Sequence, residues 1–133
     1  MPIETKAVKK QVKPIYDLEE RTFIFAKEVR SFVKKLPKTI GNIEDLKQLI
    51  RSSGSVGANY LEADDNLGKR DEMHKIKISR KEARESRYWL QLIDTGGEEK
   101  VEVERLRLAQ EAKELMLIFS SITRKLERIS AIM

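Results

Sequence analysis

The sequence predicts an all-α protein, an antiparallel up-down four-helix bundle in a single domain over residues 1–133. Three observations carry that expectation. Apolar residues recur at steps of three and four along four successive segments, short connections separate those segments, and no stretch alternates apolar with polar as a half-buried strand does. The composition agrees, with 40% hydrophobic and 37% charged residues, three prolines and six glycines. A chain of 133 residues buries roughly two-thirds of its unfolded surface, so it needs no disulfide or metal to hold it.

The first helix is expected from about Asp17 to Leu36, with Leu18, Phe25, Val29, Phe32 and Leu36 on one face. It stops there because the residue before Pro37 is pushed out of the α region. Asp17, Glu19 and Glu20 in the first turn and Lys34 and Lys35 in the last complement the helix dipole. The second helix, 42–66, is read as starting at an Asn42 N-cap with Asp45 three residues on. Its inward residues are Ile43, Leu46, Ile50, Ser53, Gly57 and Leu61. The third, 69–95, starts after Gly68, turns Met73, Ile76, Ser79, Ala83, Ser86, Leu90 and Ile93 inward, and ends at Gly96 and Gly97. The fourth, 98–130, places Val101, Leu108, Ala112, Leu115, Phe119, Ile122, Leu126 and Ile129 on a seam of roughly 3.5-residue period.

Charge is uneven. Residues 1–16 form a basic N-terminal arm of net +3, and residues 67–97 carry another +3, whereas 37–66 carry −2. No run approaches the 18 apolar residues of a membrane span, and the first residues lack the apolar core of a secretory signal. Cysteine is absent, which excludes thiol chemistry and permits a reducing interior, so a cytoplasmic location with no membrane partner is expected.

The stretch RSSGSVGANYLEADDNLGKR, residues 51–70, has the glycines and serines of a phosphate loop. Such a loop joins a strand to a helix, and the Walker form ends in Gly-Lys-Ser/Thr; neither condition is met. The apolar period continues instead through Val56, Tyr60 and Leu61. Ser53, Gly54, Gly57 and Ala58 are therefore read as helix positions where a neighbouring backbone comes close, a packing gain that offsets about 1 kcal/mol of lost propensity per glycine.

At about 100° per residue, Lys77, Arg80, Lys81, Arg84 and Arg87 fall on one flank of the third helix beside its apolar stripe. Five cations so arranged can follow a phosphate backbone. They can equally form a solvated face, with Lys81 paired to Glu85 and Lys75 to Asp71, or bridge acids of another helix or subunit. Other constellations carry little chemistry. His74 is the only histidine, the acids Glu62, Asp64 and Asp65 miss calcium-loop spacing, and the pair Asn59 and Glu62 matches no known reaction. No catalytic residue, metal or cofactor is expected.

The run from Arg51 to Ile93, above all SVGAN with Glu62 and the later KEARESRYWL of Lys81 to Leu90, resembles a bacterial family of four-helix bundles. That family was first noticed as proteins encoded in intervening sequences of large-subunit ribosomal RNA genes. The opening YDLEERTFIFAKEVRSFVKKLP is similar to the family's first helix, so the resemblance covers nearly the whole chain. Two positions depart from the usual pattern, with Gly57 where many relatives have proline and Gly68 where they have a serine cap. The resemblance implies a ring-like homopentamer. Through a related accessory protein of diversity-generating retroelements, it also implies contact with nucleic acid and with a reverse transcriptase; it supplies no catalytic residue.

The residues themselves also point to assembly. Ile78, Trp89 and Leu92 lie on a face of the third helix away from its stripe, and residues 115–119 of the fourth are apolar in succession. A helix apolar on more than one side needs more than its own bundle to cover it. A homo-oligomer follows, with Ile78, Trp89, Leu92 and Leu117 at its interface. Two functions stay open: an oligomeric module that binds RNA or DNA through the basic stripe, and a scaffold that recruits protein without nucleic acid.

Overall fold

The computed structural model describes residues 17–64 and 68–132. They form four helices, α1 (Leu18–Val33), α2 (Ile40–Asp64), α3 (Lys69–Leu92) and α4 (Glu99–Ile132), and no strand occurs among the described residues. The basic arm, residues 1–16, lies outside them, as does Asp65 of the acidic group.

Each end has a local cause. Asp17 caps α1, its carboxylate accepting the Glu20 N–H at 2.8 Å. The exit tightens through i to i+3 bonds from Lys35 N–H to the Phe32 carbonyl and from Leu36 N–H to that of Val33. Helix α2 begins two residues before the expected cap, at Ile40. The Thr39 hydroxyl accepts the Asn42 N–H at 3.2 Å, and Asn42 itself serves a different purpose. Its buried side-chain amide donates to the carbonyls of Pro37 at 2.9 Å and Asp94 at 2.7 Å, while its oxygen accepts the Asp94 N–H at 2.9 Å. One residue thus ties the connection after α1 to the connection after α3. Helix α3 starts at Gly68 without a side-chain cap, and its φ of 102° is one that glycine adopts freely. It stops at Ile93, earlier than expected; Gly96 and Gly97, with φ of 76° and 77°, then reverse the chain. The Arg105 guanidinium donates to the free carbonyls of Leu90 and Gln91, a cation at the negative end of α3.

Helix α3 packs most extensively, on α2 and on α4, and α1 closes the bundle against those same two helices. One core results, with Phe25, Val29, Phe32, Leu49, Val56, Ala83, Leu90, Leu108, Leu115 and Phe119 removed from solvent. Three of the four inward faces match the apolar periods in the sequence, except that Ile129, near the end of α4, is exposed. Helix α2 does not. Its buried residues are Asn42, Leu49, Ser52, Ser53, Val56 and Ala63, whereas Ile43 and Leu61 are exposed. The small side chains, not the largest apolar ones, mark its line of closest approach.

The seam of α2 with α3 is a close, polar one. The Ser79 hydroxyl donates to the Val56 carbonyl at 2.9 Å, and Ser86 donates to the Ser52 hydroxyl at 2.9 Å, all of them buried. Against α1, a β-carbon added to Gly57 would lie 2.8 Å from Thr22 Oγ1, so only glycine fits this contact as it stands. The residues 51–64 are helical throughout, which excludes a phosphate loop there.

Candidate nucleic-acid interface

Several cations of α1, α2 and α4 are committed to acids of the same chain. Arg21 grips Glu111 with two bonds of 2.8 Å and reaches Glu114 at 2.9 Å, joining α1 to α4. The hydrogen bond to Glu111 is the main reason its guanidinium is held more basic than usual. Arg51 spans Glu82 and Glu85 across the seam of α2 with α3, and the bond to Glu82 raises it in the same way. Lys35 pairs with Glu104, Arg107 with Glu28, and Arg105 with Glu102.

The arginines of the α3 flank are not held in this way. Lys77 stands 3.7 Å from Glu127, and Lys81 stands 3.9 Å from Glu85, the i, i+4 pair expected from the sequence. Arg80, Arg84 and Arg87 have no ion pair or hydrogen bond among the described residues, and all three reach solvent. Lys75 pairs with Glu62 of α2 at 2.8 Å and not with Asp71. Asn59 is drawn off as well, its amide donating to the Ser55 carbonyl at 2.8 Å. Neither residue is left for the paired role their spacing suggested.

The flank continues at both ends. At the start of α3, Lys77 lines an open groove of about 590 Å³ with Arg70, Glu72, Met73 and His74 of α3 and Leu126, Ile129 and Ser130 of α4. His74 is exposed there, between the cations Arg70 and Lys77 and the acid Glu72. Toward the end of α3, one turn past Arg84, stands Tyr88, its ring 5.0 Å from that of Trp89 and nearly perpendicular to it. Charge and apolar period do not single out Tyr88, although its spacing from Lys81 and Arg84 places it on the same flank.

The residues expected at a subunit contact divide. Leu92 and Leu117 are about half exposed. Ile78 is half-buried, and Trp89 packs partly on the core with its indole N–H enclosed and without an acceptor among the described residues. Val103 and Leu106 on α4 are further exposed apolar side chains that the periodicity did not single out. Among the described residues no helix is long and apolar enough to cross a membrane, and no three acids or histidines converge as a metal site.

The family described as 23S rRNA-intervening sequence protein matches residues 16–116. The chain belongs to that family. The match takes in α1, α2, α3 and half of α4, hence the whole basic flank. A member of the S23 ribosomal protein family from Bacteroides thetaiotaomicron, whose crystal structure is described as that of a protein with unknown function, has the same fold. It superposes with a TM-score of 0.67 at 26% identity, over 79% of this chain and 96% of its own. No curated protein matches the chain.

Proposed function

We propose that this member of the 23S rRNA-intervening sequence protein family is a non-catalytic, cytoplasmic helical bundle that binds RNA or DNA through Lys77, Arg80, Lys81, Arg84 and Arg87. One observation carries the reading: Arg80, Arg84 and Arg87, three arginines on one flank of a single helix, lack an acid partner among the described residues, whereas Arg21, Arg51, Arg105 and Arg107 are each paired with a glutamate. A guanidinium reserved from internal pairing is free to meet a phosphate, which it recognises with a planar fork of donors. Replacing Arg80 and Arg84 together with glutamine is expected to weaken binding to all sequences alike. The same exchange flattens the log-log salt dependence by about 0.7 to 0.9 for each phosphate no longer neutralised. Unchanged affinity in that double variant, with fold and assembly intact, overturns the assignment.

The bundle is read as antiparallel and up-down. Supporting this, Arg21 meets Glu111 while Lys35 meets Glu104, and Ser86 meets Ser52 while Lys75 meets Glu62, so in each pair of helices the numbering runs in opposite senses. The exposed apolar residues Leu92, Leu117, Val103 and Leu106 favour a homo-oligomer, a ring-like pentamer by family resemblance. They also support the second reading, a scaffold that recruits a reverse transcriptase or another protein without nucleic acid.

A further inference from the structure

We propose that Tyr88 is a base-stacking platform at the end of the arginine flank, so that the nucleic acid bound there is single-stranded. This rests on the reading of the flank as a phosphate track, and it adds the class of strand. Around the helix axis Tyr88 lies within about 40° of both Lys81 and Arg84, at about 100° per residue, and one turn or about 6 Å beyond Arg84 along the axis. Its side chain is 55% exposed, which is unusual for a ring of this size inside a helix with a buried face to offer. It is also held in place. The edge contact with Trp89, itself packed partly on the core, limits where the tyrosine ring can go, so little freedom is lost when a base covers it.

Aromatic rings beside unpaired arginines distinguish strand types by simple geometry. In a duplex the base faces are covered by their neighbours, and a tyrosine at the rim of a cationic helix reaches only sugar and phosphate. In a single strand an unstacked base can lie on the ring while the adjoining phosphates meet Arg84, Arg80 and Arg87. Neither a base face nor a phosphate reads the sugar, so RNA and DNA strands are bound alike.

The test uses the full chain and fluorescein-labelled 20-mers of oligouridylate and oligothymidylate, with a mixed-sequence DNA duplex as the comparison, followed by anisotropy over a range of salt. Wild-type protein is expected to bind both single strands more tightly than the duplex. Tyr88→Ala is expected to weaken single-strand binding by about 5- to 100-fold, the loss of one base stack, with the salt slope and duplex affinity unchanged. Tyr88→Phe restores single-strand binding, whereas Tyr88→Leu, which keeps apolar bulk against Trp89 but lacks a π face, does not. Arg84→Gln does the converse of Tyr88→Ala and flattens the slope. Trp89, the only tryptophan, gives a second readout, since its emission changes when a base joins the Tyr88 ring. Equal binding of strand and duplex with no effect of Tyr88→Ala overturns the platform and leaves the phosphate track standing. Failure of wild-type protein to bind any strand at low salt removes the track itself. A Tyr88→Ala variant that falls to a smaller assembly, or a leucine variant as good as phenylalanine, assigns the ring to packing and overturns the platform as well. A strong preference for one sugar does the same for the sugar-blind contact.

Discussion

At the scale of single residues, the contact of Gly57 with Thr22 explains why a helix tolerates a residue so poor in helix propensity. Thr22 is buried, and its hydroxyl is occupied by the carbonyls of Leu18 and Glu19, so it has no easy way to withdraw from an added methyl group. Gly57→Ala is expected to lower stability by about 1–3 kcal/mol, the usual cost of overpacking, and Gly57→Leu by at least as much. Gly54 is the control. An added β-carbon there meets the end of the Arg30 side chain at 3.2 Å, and a flexible guanidinium can step aside. Gly54→Ala should therefore be neutral or slightly stabilising, since alanine gains back up to about 1 kcal/mol of propensity. Urea unfolding of the two variants checks both signs. Small residues as the mark of a close approach were legible in the sequence, but the identity of the neighbour, a threonine 35 positions away, was not.

At the scale of elements, α1, α3 and α4 could be read directly because each has one dominant apolar stripe, such as Phe25, Val29 and Phe32 on α1. Helix α2 carries Ile40, Ile43, Leu46, Leu49 and Ile50 on several sides, so periodicity alone did not fix which side faces inward; the serines facing α3 decide it. Its start was hidden for a related reason. Asn42 has the chemistry of an N-cap, yet its three side-chain bonds reach Pro37 and Asp94, and a partner 52 residues away leaves no local pattern. Asn42→Ala strands the Asp94 N–H and two carbonyls near the connections, and is expected to cost about 2–4 kcal/mol, roughly one or two unsatisfied buried groups. Asn42→Asp keeps the acceptor but sets a buried carboxylate oxygen against both carbonyls, so its unfolding midpoint should fall at least as far as that of Asn42→Ala. If both variants unfold at the wild-type midpoint, the tie between the two connections contributes nothing.

At the scale of the whole molecule, the helices leave apolar side chains on α3 and α4 that a single bundle does not cover, and they leave arginines on α3 that it does not pair. The positions of Arg80, Arg84 and Arg87 on one flank were legible from spacing. Their lack of partners was not, because it depends on which acids other cations take: Glu82 and Glu85 of α3 are taken by Arg51 of α2, and Glu102 of α4 by Arg105. Multi-angle light scattering at micromolar concentration is expected to find a homo-oligomer, and exchange of Leu92 and Leu117 for glutamate to reduce its size; a stable wild-type monomer contradicts that assembly. A ring would repeat the arginine flank around its circumference and add weak contacts through effective concentration. The most direct measurement is the affinity of the wild-type protein for a labelled single strand between low and physiological salt. Phosphates held by three arginines predict a log-log slope of about −2 for each subunit engaged, near −0.7 per phosphate. Binding that is absent at low salt, or that does not change with salt, contradicts the nucleic-acid reading and leaves the protein scaffold in its place.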